Sequence, residues 1–352
     1  MKKIRNLLIT LVILIILIIA GGSFYINSAL KSMGDYSEKV IFEVRNNASI
    51  RTVLSDLKDS GLIRDDNLSY YYIRFFKDVD FKAGTYELDK TMDFNSIVDY
   101  ISDSRNAIID AVKITFTEGE WLKHYALKIE EYTNVSYDDI MNYWNDIEIL
   151  RELIDKYPFL SDDILNSDIR YPLEGYLFPN TYEFYRETTP EEITTKLLDE
   201  TLKIYNRHED LFKKSEMSTH EIFTLASIVQ YEAAKAEDMH DIAGVFYNRM
   251  AISMPLQSSV TICYAMDIDK DTDWRQCEYN PDYDSPYNTY THYGLTPGPI
   301  LNPGESAIVS VLEPSNHDYY YFMADVCGDG KVYYSKTYEE HLNYVNRFLK
   351  CY

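Results

Sequence analysis

From Leu7 to Ile26 the chain runs LLITLVILIILIIAGGSFYI without a single charge. At about 1.5 Å per helical residue, such a run spans roughly 30 Å, the thickness of a bilayer's hydrocarbon core. A single N-terminal transmembrane helix is expected over residues 7–27, after a short tail at 1–6. Beyond it the pattern changes. Lys39–Val44 (KVIFEV) alternates as a strand does. Ser49–Ser60 repeats apolar residues at helical spacing through Ile50, Val53, Leu54 and Leu57, and Gly61 stops it. Asp66–Phe76 reads as a second, Tyr-rich helix, Phe81–Leu88 (FKAGTYEL) as a turn and strand, and Asp93–Ser102 as another helix. The order strand, helix, helix, strand makes residues 28–110 a compact unit.

Ala111–Phe116 (AVKITF) is a further strand that leads into an amphipathic helix from Trp121. Residues 137–170 read as helical and irregular, and residues 190–350 carry the longest helical patterns. No internal repeat or low-complexity linker appears. The expected class is α+β: a small βααβ subdomain, then a mostly helical domain over 111–352.

Charge places these parts. Lys2, Lys3 and Arg5 precede the apolar run, which by the positive-inside rule leaves the N-terminus in the cytoplasm and the remainder outside. A cleaved signal peptide competes, since Ala20-Gly21-Gly22-Ser23 offers small residues near a cut, but the apolar run is longer than a usual signal core. The whole chain carries 34 Lys and Arg against 57 Asp and Glu, a net of −23. A field of that sign repels phosphate backbones, so no nucleic-acid partner is expected. Without the three N-terminal cations the net is −26, which holds the outer domain off an anionic lipid surface. The 33 tyrosines reflect biased composition or contact with carbohydrate, which an aromatic face and polar tip suit. The four cysteines form no CxxC pair, which excludes a zinc ribbon. Cys263 and Cys277 could close one loop, and four unpaired thiols remain equally open.

One carboxylate stands out. In STHEIFTLASIVQYEAAKA (218–236), Ser218 and Glu221 form a capping box, and Ile222, Leu225, Ala226 and Val229 define a core-facing stripe. At about 100° per residue, Glu232 falls within some 20° of Leu225. It is either a buried acid paired with an arginine, an acid exposed where the helix emerges from the core, or a general acid whose burial keeps the proton on near neutral pH.

Here a resemblance becomes specific. LASIVQYEAA, followed by DIAGVFYNRM at Asp241–Met250, is similar to the catalytic core of the membrane-anchored endolytic murein transglycosylases, the MltG (YceG-like) family. FKAGTY at Phe81–Tyr86, Glu118-Gly119, LEGYLFPNTYEF at Leu173–Phe184, Pro255-Leu256-Gln257-Ser258, SPYNTYTHYGLTPGPILNPG at Ser285–Gly304, YYFMAD at Tyr320–Asp325 and Glu340-His341 follow in the family's order. The resemblance implies a LysM-like peptidoglycan-binding subdomain at 28–110 and a catalytic domain with a lysozyme-like helical core at 111–352. It implies a lyase that cleaves the MurNAc–GlcNAc β-1,4 bond within nascent glycan strands, leaves 1,6-anhydro-MurNAc ends and terminates elongation. It further implies a single-pass protein of the bacterial cell membrane, working beside the peptidoglycan synthases. The family's catalytic Glu maps to Glu232. A lone carboxylate suits this chemistry, because the substrate's own C6 hydroxyl replaces the water that a hydrolase activates with a second acid.

Three positions depart from the family's pattern. Gln230 stands where a second Glu is frequent, Ser259-Val260 replaces Asp-Pro after Leu-Gln-Ser, and Thr117 replaces Pro before Glu-Gly. Asn288 and Tyr290 offer an amide and a phenol to sugar hydroxyls or the N-acetyl group, and Gln257 is similar, although each could instead bond loop backbone. Arg249 either braces the structure or meets the substrate's peptide carboxylates. Glu174, in LEGYLFP, suits a structural or substrate-orienting role, with a direct base role as the alternative. Asp267–Glu278 (DIDKDTDWRQCE) has acids at positions 1, 3, 5, 7 and 12 of a Ca²⁺ loop, but Thr272 stands where the turn needs Gly. It reads as an acidic surface loop. The seven histidines are scattered with no HExxH, so no metal and no cofactor is expected. Two other functions stay open: a non-catalytic peptidoglycan-binding scaffold that recruits synthases, and a hydrolytic muramidase using Glu174 as its second carboxylate.

Overall fold

The computed structural model describes residues 21–22, 25–108, 111–268, 275–325 and 328–348. The tail at 1–6 and most of the expected membrane span lie outside them. Among the described residues no helix is long and apolar enough to cross a membrane. The chain divides into two compact units, Met1–Asp110 and Ala111–Tyr352.

The first unit has the strand–helix–helix–strand order. β1 (Lys39–Val44) pairs antiparallel with β2 (Gly84–Asp89), Phe42 opposite Tyr86. Alternation decides which face is inside: Phe42 and Val44 are buried while Ile41 is exposed. Between the strands lie α1 (Ile50–Asp59), capped by the Ser49 hydroxyl on Thr52 N, and α2 (Asp66–Phe76), capped by Asp65 on Leu68 N. α3 (Phe94–Ile101) follows, with Asp93 accepting from Ser96 N. Val53, Leu54, Leu57, Ile97, Val98 and Ile101 close the core against the buried face of the strands.

The second unit is mostly helical. β3 (Ala111–Thr115) pairs antiparallel with β4 (Thr181–Tyr185), a strand the sequence reading did not separate from its LEGYLFPNTYEF motif. α4 (Leu122–Tyr132), α5 (Tyr137–Asn145) and α6 (Ile147–Lys156) precede β4, and α7 (Pro190–Arg207) and α8 (Glu209–Lys214) follow it. The centre is α9 (Thr219–Glu232), packed against α10 (Met239–Ala251), α11 (Ser259–Ala265) and α13 (Glu305–Leu312). The short α12 (Arg275–Glu278) packs on α11. A hairpin of β5 (Tyr321–Ala324) and β6 (Val332–Ser335), also not foreseen, carries α14 (Tyr338–Phe348).

The capping box of α9 is present: Ser218 Oγ accepts from Glu221 N and Glu221 Oε2 from Ser218 N. Its single apolar stripe is not. Every residue from Ile222 to Val229 is buried, Thr224 and Ser227 included. Those hydroxyls cost little to bury, because each donates to a carbonyl one turn back within the helix. The helix is therefore a core helix enclosed on all sides.

Two distant loops are joined beneath it. Buried Asn302 accepts from Gly175 N at 3.0 Å and Leu177 N at 3.2 Å. Gly175 has φ +86, and a Cβ there would lie 2.3 Å from Pro299 Cβ, so both backbone and space require glycine.

Candidate active site

Glu232 is the last residue of α9, where the helix leaves the core and its end borders a cavity of about 700 Å³. Half-buried Glu232 shares this cavity with Arg249, Gln257, Glu278, Tyr290 and His341. Its Oε1 accepts a hydrogen bond of 2.5 Å from Ser258 Oγ. Ser258 holds the N-cap position of α11, yet its hydroxyl makes no capping bond there and turns to the carboxylate. The Ser258 backbone is fixed by Thr289, whose hydroxyl accepts from Ser258 N at 3.0 Å.

Burial raises the Glu232 pKa above the ordinary carboxyl value. The Ser258 hydroxyl and the Arg249 charge oppose that rise, and Glu278 adds to it. The group is placed to carry a proton while keeping a donor ready for its conjugate base.

Arg249, from the last turn of α10, lines the cavity but is spent on structure. Its Nε donates to Tyr320 O at 2.6 Å and its guanidinium to Leu256 O at 2.5 Å. Burial lowers its pKa. It thus ties the β5 segment to the loop before α11, and its charge reaches Glu232 without a hydrogen bond to it. Gln257 is exposed at the cavity with φ +46, a left-handed conformation that a non-glycine residue pays strain to hold. Half-buried Tyr290 also lines it, and burial raises its pKa, with Glu232 and Glu278 adding.

The remaining two expected site residues are elsewhere. Asn288 is fully buried; its Nδ2 donates to Pro281 O and Tyr283 O, and its Oδ1 accepts from Tyr290 N. With no exposed surface it shapes the loop that presents Tyr290, in place of the substrate contact expected from its amide. Glu174 is likewise buried, outside the cavity lining. Its Oε1 accepts from Leu122 N at 2.8 Å at the start of α4, and Tyr264 OH donates to Oε2 at 3.3 Å. Burial pushes its pKa up to about 8.

Three residues at the site were not anticipated as site groups: buried Ser258, which bonds Glu232, and His341 and Glu278, which line the cavity. Ser258 stood in the Pro-Leu-Gln-Ser motif, His341 in Glu340-His341, and Glu278 at the end of the acidic stretch 267–278. His341, on α14, stacks on Tyr321 at 5.6 Å, and its Nδ1 is buried without a hydrogen-bond partner among the described residues. Burial lowers its pKa, with Arg249 next. Glu278 brings a second carboxylate to the cavity, and burial raises its pKa. Asp267, the first acid of that stretch, is engaged by Lys123 Nζ at 2.7 Å and Arg170 at 2.8 Å. Residues 269–274 lie outside the described residues.

Two of the three departures from the family's pattern have simple local accounts. Gln230 Oε1 accepts from Gly304 N at 3.0 Å, which ties α9 to the start of α13. Ser259-Val260 forms the first turn of α11. Cys263 and Cys277 are joined by a disulfide.

The model of the YceG-like family matches residues 42–347. An endolytic murein transglycosylase of Bacillus subtilis (strain 168) is 35% identical over 328 residues, covering 92% of this chain and 89% of that protein. A protein of the same name from Streptococcus pneumoniae serotype 2 (strain D39 / NCTC 7466) is 30% identical over 368 residues, covering 97% of this chain and 64% of its own length. The solved structure of a YceG-like protein from Listeria monocytogenes superposes with a TM-score of 0.61 at 35% identity, covering 88% of this chain and 99% of that one.

Proposed function

The chain belongs to the YceG-like family, and on that premise we propose that it is an endolytic murein transglycosylase whose proton donor is Glu232. The observation that carries this reading is a glutamate at the end of a helix buried on every face from Ile222 to Val229, held above its ordinary pKa by burial and opening on a polar cavity. Glu232 gives its proton to the glycosidic oxygen as the C1–O4 bond breaks, so the GlcNAc leaves as an alcohol. The C6 hydroxyl of the MurNAc attacks C1 and passes its proton to the Glu232 carboxylate, which restores the acid. No water is consumed, and the new end is 1,6-anhydro-MurNAc. An internal nucleophile carries the effective molarity that solvent lacks. The Ser258 hydroxyl stabilises Glu232 during the interval in which it is ionised.

Gln257 and Tyr290 contact the sugar from the cavity wall, and Arg249 acts mainly by holding that wall together. The βααβ unit serves as a LysM-like peptidoglycan-binding subdomain, and residues 7–27 anchor the protein in the membrane with the catalytic domain outside. There it works on nascent strands beside the synthases and needs no cofactor.

One observation favours a second reading. Glu278 lines the same cavity as Glu232, so a hydrolytic muramidase would draw its second carboxylate from Glu278, since Glu174 is buried elsewhere. Mass spectrometry of uncrosslinked glycan strands after digestion separates the two. Anhydro ends are lighter by one water than hydrolytic ends, and a product population lacking them would overturn the lyase reading.

A further inference from the structure

Beside the cavity wall lies a covalent staple that no step of the reaction uses. Cys263 lies on α11 and Cys277 on α12, and their disulfide is buried. With Ile262 and Ile268 they form a satellite core distinct from the main one, and the Tyr290 ring packs against it. Glu278 is the next residue after Cys277. The two cavity residues Tyr290 and Glu278 therefore depend on this small cluster, the first through packing and the second through the chain. Glu232 does not, because it is carried by α9 in the main core.

A satellite of four buried residues provides little apolar area to hold a wall in place, so the crosslink supplies what packing does not. The two groups it holds suit a sugar: a phenol offers an apolar face to a pyranose ring and a polar tip, and a carboxylate accepts from neighbouring hydroxyls. We propose that the Cys263–Cys277 disulfide is a positioning device for the glycan, holding Tyr290 and Glu278 in the cavity wall where they bind the sugar, so that substrate binding depends on the oxidised state. The proposal rests on the assignment of the reaction to this cavity. It makes the hold on the sugar separable from the placement of the acid, since the staple holds the binding wall and α9 carries Glu232.

The test uses the full chain in detergent on soluble, uncrosslinked glycan strands, with kcat and KM measured separately and products resolved by mass. The double variant C263S/C277S should raise KM about tenfold, the size of one or two lost hydrogen bonds, with kcat within about threefold and anhydro ends unchanged. Dithiothreitol should do the same to the wild type and nothing more to the double variant, which excludes effects through Cys327 and Cys351. Glu278→Gln and Tyr290→Phe, with the disulfide intact, should each raise KM by a part of that factor, and they keep the test decisive if the double variant does not fold. A folded double variant with wild-type KM would overturn the proposal. So would a dithiothreitol effect that survives in that variant, or wild-type KM in both Glu278→Gln and Tyr290→Phe. Failure of the underlying reading looks different: Glu232→Gln would then retain turnover whatever the state of the disulfide.

Discussion

Replacing Glu232 by Gln removes one proton and almost no volume. The wild-type carboxylate accepts from Ser258 Oγ at 2.5 Å, and a glutamine carbonyl can accept the same bond, so the α9–α11 contact should persist. The amide cannot donate a proton to a leaving alkoxide. General acid–base assistance contributes about 10²–10⁴-fold, or roughly 3–5 kcal/mol of barrier. In the proposed cycle one group serves both half-steps, as acid and then as base, so the loss should lie at the upper end of that range. Stability should move the other way, if at all. Burial already disfavours the ionised form of Glu232, and a neutral amide escapes that cost, so the melting temperature should be unchanged or slightly raised. The assay is digestion of uncrosslinked glycan strands by wild type and variant, with anhydro ends counted by mass and a melting curve for each protein. A folded Glu232→Gln that turns over like wild type would refute both the assignment of the acid and the mechanism built on it.

Ser258→Ala removes the hydroxyl that favours the ionised Glu232, so the alkaline limb of the pH–rate profile should move to higher pH, with a loss of about tenfold or less at its optimum. Glu174→Gln should keep anhydro products and change the pH dependence of stability. With a folded pKa of about 8 against an ordinary 4.5, native Glu174 holds a proton that the unfolded chain releases. Wild-type stability should therefore fall as pH rises from about 4.5 to 8, by some 4–5 kcal/mol at full extent, and thermal denaturation of the variant should lack that slope. Gly175→Ala forces a Cβ to 2.3 Å from Pro299 at φ +86, and should cost at least about 2 kcal/mol in denaturant titration. Protease added to intact spheroplasts should remove residues 28–352; full protection would contradict the topology proposed from Lys2, Lys3 and Arg5.

The sequence was most legible where the determinants are local. Ser49, Asp93 and Ser218 cap the helices their spacing announced, because a cap is settled within four residues. β4 and the β5–β6 hairpin were missed for the opposite reason. A strand of four or five residues in a two-stranded ribbon has too few alternations to register, and its partner lies far off in the chain for β3–β4. The stripe of Ile222, Leu225, Ala226 and Val229 marks only one face of α9, while Thr224 and Ser227 on the opposite face bury hydroxyls already satisfied by their own helix. The site divided along the same line. Glu232 was legible as an acid out of place on an apolar helix. Glu174 and Asn288 were equally prominent in their motifs, but nothing local reveals that Leu122 N and Tyr264 OH take one carboxylate and that a loop encloses the amide. Glu278 drew attention only as a member of an acidic run, because its approach to Glu232 depends on chain segments that spacing alone does not bring together.

α9 holds a glutamate near each end, and the contrast explains why the second one suits acid catalysis. Glu221 sits in the first turn, where unpaired N–H groups and the positive end of the helix dipole favour an anion, and it accepts from Ser218 N as half of the capping box. Glu232 sits at the other end, where the dipole disfavours negative charge by some tenths of a kcal/mol to about 1 kcal/mol. Burial and the Glu278 carboxylate act in the same direction, while Ser258 and Arg249 act against it. Both directions are needed. An acid held too firmly in its neutral form would not release its proton to the glycosidic oxygen, and one too readily ionised would not hold it near neutral pH. A group that must give a proton and regain one from the C6 hydroxyl works best between these limits. Burial and groups from four segments of the chain (the end of α9, α10, the start of α11 and α12) meet at one carboxylate. Of these, only burial beside the core stripe of α9 could be read from the residues around Glu232.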